Sequence, residues 1–379
     1  MRQTFVYNQT MTTDERIKLI TRNLEETLTE GELKALIESD TPLKHYIGLE
    51  ISGKAHVGWV FMMMKIKDLQ DAGVKTQILL ADWHTWLNKK LDGKLETAKR
   101  LARDYFEQAL KAAAIVADAD PDKINFVLGS ELYERMGNDY WALVVKVAKA
   151  TTIARMIRST TIMGRKESEL SDTAMLIYPA MQSADIFALG VNIAHAGTDQ
   201  RNVHVVAREA AGELGFKKPV AIHHPLLQGL LPPTLIEDEK GKKVMDMEKA
   251  KMSKSKPDSA IFIHDDAETI KRKLNSAYAP EGDIDFNPIL DWVKHLIFYA
   301  GTQGESLQIQ RPEKFGGNIT YNSYADLEKD YADKKLHPQD LKMAVADWLI
   351  KKLEPARKYF EEPQRKKALE EIERLTKPL

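Results

Sequence analysis

His45-Tyr46-Ile47-Gly48-Leu49-Glu50-Ile51, continued by Ser52-Gly53-Lys54-Ala55-His56-Val57-Gly58, is the stretch whose reading decides the fold. The first seven residues read as a strand and Ser52-Gly53 as a turn. Residues 57–71 then carry helical periodicity, with Phe61, Met62, Met64, Ile66 and Leu69 as candidate buried positions. Strand, glycine turn and helix N-terminus in that order form the ligand-holding corner of a parallel α/β sheet. Gly53 and Gly58 allow backbone to approach a nucleotide closely, and the helix dipole favours phosphate. His56, at the corner, is placed to donate to a phosphate oxygen. The methionine run 62–64 reads as core filling.

Working outward, residues 74–81, 124–129, 191–197 and 220–223 read as further strands. Helical patterns separate them at 95–116, 139–168, 174–189 and 198–213. Strands alternating with helices imply a parallel, doubly wound sheet. Residues 1–10 read as a tail and 14–38 as one helix with a solvated charged face. We divide the chain into an N-terminal tail and helix (1–40), an α/β catalytic domain (41–265) with a helical insertion at about 130–172, and a helix-dominated C-terminal domain (266–379).

The totals bound the function. A chain of 379 residues with 43% hydrophobic and 29% charged residues builds a sizeable core under a charged surface. It has no cysteine, which removes disulfides, thiol nucleophiles and thiolate metal sites. Residues 1–13 lack the apolar core of a secretory signal, and no run has the length of a membrane span, so a cytoplasmic protein is expected. With 55 basic and 56 acidic residues, the formal charge is −1. Nucleic-acid binding must therefore use local patches and shape, not a chain-wide polycation.

Lys251-Met252-Ser253-Lys254-Ser255-Lys256 intersperses three ammonium groups among small or apolar residues. Such a loop can close over a polyphosphate and neutralise charge that develops during nucleotidyl transfer. A solvated lysine-rich loop is the bland alternative. Paired with Ser52 to Gly58, however, the run resembles the KMSKS and HIGH elements of class I aminoacyl-tRNA synthetases, in the right order and a domain apart. Trp59 stands where HIGH has its second histidine.

Within that class the chain resembles the tyrosyl-tRNA synthetases of archaeal and eukaryotic cytoplasmic type from about residue 40 to about residue 358. The matching segments include 45–50, 80–84, 178–185 (Tyr-Pro-Ala-Met-Gln-Ser-Ala-Asp), 196–201 (Ala-Gly-Thr-Asp-Gln-Arg), 311–317 and 336–342. The resemblance implies a Rossmann-like (HUP) catalytic domain and an anticodon-binding helical domain. It implies activation of L-tyrosine with ATP and Mg2+ to the adenylate, then transfer to tRNA(Tyr). Tyr46 and Asp185 would bind the substrate phenol. Tyr178, Gln182 and Gln200, with Glu50 nearby, would hold its ammonium. Gly53, Gly58 and Asp199 would meet ATP, and His56, Lys251 and Lys254 would stabilise the transferring phosphate. His84 reads as a pocket wall or as structural. Arg158 and Arg201 would read the acceptor stem, and Phe315, His337 and Asp340 an unpaired base. The family is homodimeric, with the helical insertion as the implied interface; no membrane or DNA partner and no protein-held metal is implied. The alternatives are the tryptophanyl enzyme, another adenylyltransferase of the same superfold, and an RNA-binding paralogue without catalysis.

Overall fold

The computed structural model describes residues 11–165, 167–237, 243–246, 250–252, 256–299 and 305–376. They fall into two compact units, one of 1–53, 63–114 and 118–225, the other of 54–62, 115–117 and 226–379.

The first unit is built on a six-stranded sheet: β1 (Glu26–Leu28), β2 (His45–Leu49), β3 (Thr76–Leu80), β4 (Ile124–Leu128), β5 (Ile193–Gly197) and β6 (Val220–His224), in the order β1-β6-β5-β2-β3-β4. Strands β2 to β6 run parallel, and β1 lies antiparallel on the edge beside β6. The sheet is the doubly wound, Rossmann-like one expected. The chain winds from β2 outward to β4, then returns to the other side of β2 with β5. That reversal makes the carboxyl ends of β2 and β5 the topological switch point, where ligands of such sheets bind. The buried apolar run of β3 is Ile78-Leu79-Leu80.

Residues 14–38 are not one helix. Thr13–Thr21 and Glu30–Glu38 are separate helices, each opened by a capping box, Thr12 with Glu15 and Thr29 with Glu32. Each box satisfies helix N–H groups reciprocally and so restarts a helix where periodicity alone would run on. The intervening Glu26-Thr27-Leu28 becomes β1 through pairing with β6. In the helix Val57–Asp71 the buried methionines are Met62 and Met63, while Met64 is half-buried. Lys65 takes the inner face as well, donating to the carbonyls of Leu19, Ile20 and Arg22 and to Asp68. The insertion consists of helices Gly129–Met136, Asn138–Lys149 and Ile153–Ser159 with short turns beyond them.

The second unit is mainly helical: Ala267–Ser276, Pro288–Trp292, Tyr324–Ala332, Pro338–Lys352, Glu354–Tyr359 and Pro363–Thr376. Two small hairpins accompany them, β7 (Leu235–Glu237) with β8 (Lys243–Met245) and β9 (Leu307–Ile309) with β10 (Ile319–Tyr321). Its core gathers Ile270, Leu274, Trp292, Leu341 and Val345, all buried.

Candidate active site

In the first unit, Tyr46 on β2 and Asp185 on the helix Tyr178–Ala188 are both buried, and the charge of Asp185 raises the Tyr46 phenol further above its ordinary range after burial has done most of the work. Gly48 makes room for this. Two residues along the strand it shares the face of Tyr46, and a Cβ there would lie 2.7 Å from Tyr46 Oη. Tyr140 Oη donates to Asp185 Oδ1 at 2.8 Å. The other oxygen, Oδ2, is buried without a hydrogen-bond partner, as are both ring nitrogens of His84 and Tyr133 Oη. His84 Nε2 stands 3.6 Å from Asp185 Oδ2, beyond a hydrogen bond. The pair is not an ion pair either, because burial holds His84 neutral, its pKa pushed down to about 3. Burial likewise pushes Asp185 up to about 7, against the pull of the Tyr140 hydrogen bond.

Buried polar groups are ordinarily paired. A cluster of orphans holding an acceptor (Asp185) and donors (the N–H of neutral His84, the O–H of Tyr133) is shaped for a ligand atom that both donates and accepts. A phenol hydroxyl is such an atom.

A second polar set lies around the same helix. Tyr178 Oη donates to Glu50 Oε1 at 2.9 Å, and Asn88 Nδ2 donates to the same oxygen at 2.7 Å. Arg165 in turn donates from Nε to Asn88 Oδ1 at 2.7 Å, so Glu50 is held through a relay. Gln182 Nε2 donates to Gln200 Oε1 at 3.1 Å, and Gln200 Nε2 to the carbonyl of Ile162 at 2.9 Å. The structure thus brings together Tyr46 with Asp185, Glu50 with Tyr178, and Gln182 with Gln200. His84 joins them, its ring edge-on to Tyr178 at 4.6 Å. Glu50 directly follows β2, while Asp199, exposed, and Gln200 lie on the turn after β5, at the switch point. Gly53 has φ 115°, a conformation L side chains avoid.

In the second unit His56 Nδ1 accepts from the Gly58 N–H at 3.2 Å. That bond makes Nδ1 the unprotonated nitrogen and puts the ring proton on Nε2. A Cβ at Gly58 would sit 2.9 Å from the His56 ring and 3.1 Å from Met252 Cε, so only glycine admits both side chains. The backbone of this corner is pinned by the segment that follows the lysine run: Val57 N–H donates to Ile261 at 2.9 Å and Ile263 N–H to Ala55 at 3.1 Å. The run itself starts from Lys251, bridged to Gln228, beside Gly229, whose missing Cβ would meet the Ala250 carbonyl at 3.0 Å. Lys254 lies outside the described residues.

Among the RNA candidates, Arg158 is exposed. Arg201 is held by Glu26 of β1, Nε to Oε2 at 2.8 Å and Nη2 to Oε1 at 2.9 Å. Phe315 is 61% exposed, with Lys314 Nζ 4.9 Å from its ring centre. His337 is exposed and accepts from the Gln339 N–H at 3.1 Å as the cap of its helix; Asp340 follows, half-buried, in the first turn. Sequence reasoning missed Tyr133, Tyr140, Asn88 and Arg165. No local pattern marks them, since each acquires its partner only through tertiary contact.

These features are those of a known class. Residues 38–354 match the family model of tRNA synthetases class I (W and Y), and the chain belongs to that family. Within it, the chain stands with the tyrosine–tRNA ligases. It is 49% identical over 364 residues to the tyrosine–tRNA ligase of Thermococcus sibiricus, covering 93% of this chain and 96% of that protein. The crystal structure of tyrosyl-tRNA synthetase complexed with L-tyrosine from Pyrococcus horikoshii superposes with a TM-score of 0.89 at 46% identity, covering 95% and 100% of the two chains. The Leishmania major tyrosyl-tRNA synthetase in complex with tyrosinol gives 0.82 at 33% identity, covering 96% of this chain and 52% of that one. The tryptophan reading is not favoured. Among the described residues no helix is long and apolar enough to cross a membrane.

Proposed function

We propose that the chain activates L-tyrosine with ATP to enzyme-bound tyrosyl-adenylate and transfers the tyrosyl group to the 3′-terminal ribose of tRNA(Tyr), with the residues above in the following roles. Asp185 accepts a hydrogen bond from the substrate phenol and Tyr46 completes the hydroxyl's surroundings. Tyr178, Gln182 and Gln200 hold the ammonium group, with Glu50 adding negative charge beside Tyr178. The observation that carries this is the unpartnered, buried Oδ2 of Asp185 among the orphaned atoms of His84 and Tyr133.

The tyrosine carboxylate attacks the α-phosphorus of ATP and pyrophosphate leaves. The task is positioning and charge stabilisation, not covalent catalysis. The Nε2–H of neutral His56 donates to a phosphate oxygen, and Lys251 and Lys254 balance the charge on the departing pyrophosphate. Gly53, Gly58 and Asp199 shape the nucleotide's seat. ATP is taken as its magnesium complex, the ion carried on the phosphates. Arg158 and Arg201 meet the acceptor stem, and Phe315, His337 and Asp340 the anticodon. The exposure of Phe315 and His337 supports that role. A cytoplasmic homodimer belongs to the same reading. Trp141, Val145 and Ile153 on the insertion, 36%, 58% and 80% exposed, supply an apolar face for a second copy.

ATP–pyrophosphate exchange with tyrosine, phenylalanine and tryptophan, repeated with Asp185→Ala, tests the chemistry. Exchange with tyrosine alone, lost in the variant, is expected. Exchange with tryptophan would move the assignment to the sister enzyme, and no exchange would leave an RNA-binding protein on a synthetase fold.

A further inference from the structure

The two oxygens of Asp185 have different fates. Oδ1 receives the Tyr140 hydroxyl at 2.8 Å, and Oδ2 receives nothing. Tyr140 is fully buried and its ring is locked: it stacks on Tyr133 at 4.0 Å and meets Trp141 edge-on at 5.4 Å. Gly137 sets this up. With φ 54° and ψ −129° it makes the turn that joins helices Gly129–Met136 and Asn138–Lys149, which carry the stacked rings. No such turn is open to an L side chain at low strain.

We propose that Tyr140 is a positioning residue of the amino-acid pocket: by occupying Oδ1 of Asp185 it leaves Oδ2 as the acceptor for the substrate phenol, and so sets the discrimination of tyrosine from phenylalanine. The inference rests on Asp185 being the phenol partner. The physical argument is one of rotation and charge. A carboxylate with neither oxygen tied turns about its terminal torsion, and its acceptor direction is spread over that turn. One short bond from a ring that cannot move fixes the carboxylate plane and aims the other oxygen. The same bond favours the anion. Burial drives Asp185 towards its neutral form and the charge of Asp82 adds to that, while the hydrogen bond from Tyr140 opposes both. His84 and Tyr46 also face the carboxyl; His84 is held neutral and the Tyr46 phenol is held well above its ordinary range, so neither supplies charge near neutrality.

The test is Tyr140→Phe, which keeps the stacked ring and removes the donor. We would measure kcat/KM for tyrosine and for phenylalanine in pyrophosphate exchange from acid to alkaline pH. In the parent the tyrosine profile has an acidic limb near pH 7, the range of Asp185, and the phenylalanine profile does not. In the variant, kcat/KM for tyrosine falls about 10- to 100-fold, as for loss of a hydrogen bond to a charged group. The limb moves to higher pH, phenylalanine is unaffected, and the tyrosine-to-phenylalanine ratio drops by the same factor. Equal losses for both amino acids with the limb unmoved would make Tyr140 merely structural and overturn the proposal. Should the variant not fold, Trp141→Ala decides, since it keeps the Tyr140 hydroxyl and removes the edge-on ring that helps to lock it: an unchanged tyrosine-to-phenylalanine ratio overturns the proposal. A parent inactive with tyrosine would instead overturn the assignment of function itself.

Discussion

Replacing Gly48 by alanine tests whether the phenol pocket rests on a missing side chain. The new Cβ would lie 2.7 Å from Tyr46 Oη, 3.3 Å from Cζ and 3.4 Å from Cε2. Ordinary contact requires the hydroxyl to retreat by about 0.7 Å. Tyr46 is 1% exposed and has nowhere to go cheaply. Overpacking of this kind costs about 1–3 kcal/mol. On the proposed reading Tyr46 meets the substrate, and a retreat of that size should lower kcat/KM for tyrosine by about tenfold or more, since a misplacement of about 1 Å is worth about a hundredfold. Thermal melting reads the first effect and tyrosine-dependent pyrophosphate exchange the second. Combining Gly48→Ala with Tyr46→Phe removes the atom in the closest contact, leaving the 3.3 Å approach to the ring. The stability loss from alanine should then shrink by about 1 kcal/mol or more, a coupling typical of residues in contact. A Gly48→Ala protein with unchanged melting temperature, or strict additivity in the double variant, would refute the reasoning.

Acidification should destabilise the fold through its buried histidines. His45 and His204 are held neutral by burial with pKa values of about 3, and His224 at about 4. The unfolded chain binds protons from about pH 6.5 downward while these groups do not, so stability falls as pH drops from there towards 4, by at most about 1.4 kcal/mol per pH unit for each uncoupled group. Asp185, raised to about 7, and Asp291, raised to about 6, work in the opposite sense, but they are outnumbered, since burial also holds His84 and His264 at about 3 and His295 at about 4. A melting temperature that holds constant or rises from pH 7 to pH 5 would contradict this. Lys273→Met should cost about 3–5 kcal/mol, because it strips the half-buried Asp265 of an ion pair at 2.7 Å and the buried Ala260 carbonyl of a donor at 2.9 Å; a wild-type melt would count against it. Glu373→Gln breaks a 2.8 Å pair with Lys54 whose members are 40% and 23% exposed. The melting temperature should hardly move, since such pairs contribute about 1 kcal/mol or less.

The parallel strands were legible because buried strands need unbroken apolar runs, and β3 and β6 have them. β1 was not: Glu26-Thr27-Leu28 carries no period, and pairing with β6 plus the ties of Glu26 to Arg201 and His223 make it a strand. Met63 was passed over for Met64 because a run of like residues hides the phase of a helix. Among site residues, the helical spacing of Tyr178, Gln182 and Asp185 marked a shared face. Tyr140 lay hidden in Asp139-Tyr140-Trp141, which reads as a helix start; its meaning depends on a carboxylate 45 residues later. Asp82 is similar. Its carboxylate accepts from the Ser130 N–H at 3.0 Å and caps the helix after β4, and Gly129 admits it because a Cβ there would lie 2.6 Å from Oδ1. Long-range polar partnership leaves no local trace.

The orphaned atoms also bear on why tyrosine and not tryptophan is the fitting occupant. Each buried polar atom left unpaired costs about 1–3 kcal/mol, so an occupant is favoured in so far as it pairs them. Phenylalanine removes none of it. The indole N–H of tryptophan donates and cannot accept. It would satisfy Asp185 Oδ2 and leave the N–H of His84 and the O–H of Tyr133 unpaired. A phenol hydroxyl donates to Asp185 and accepts from one of those donors through the same oxygen. Because burial keeps His84 neutral, its ring holds one N–H and one bare nitrogen, so it offers a donor without placing a second charge beside the carboxylate. On the proposed reading the pocket would therefore select by the number and sense of hydrogen bonds as much as by size. That selection depends on dryness: the burial that neutralises His84 is the same burial that makes an unpaired atom costly.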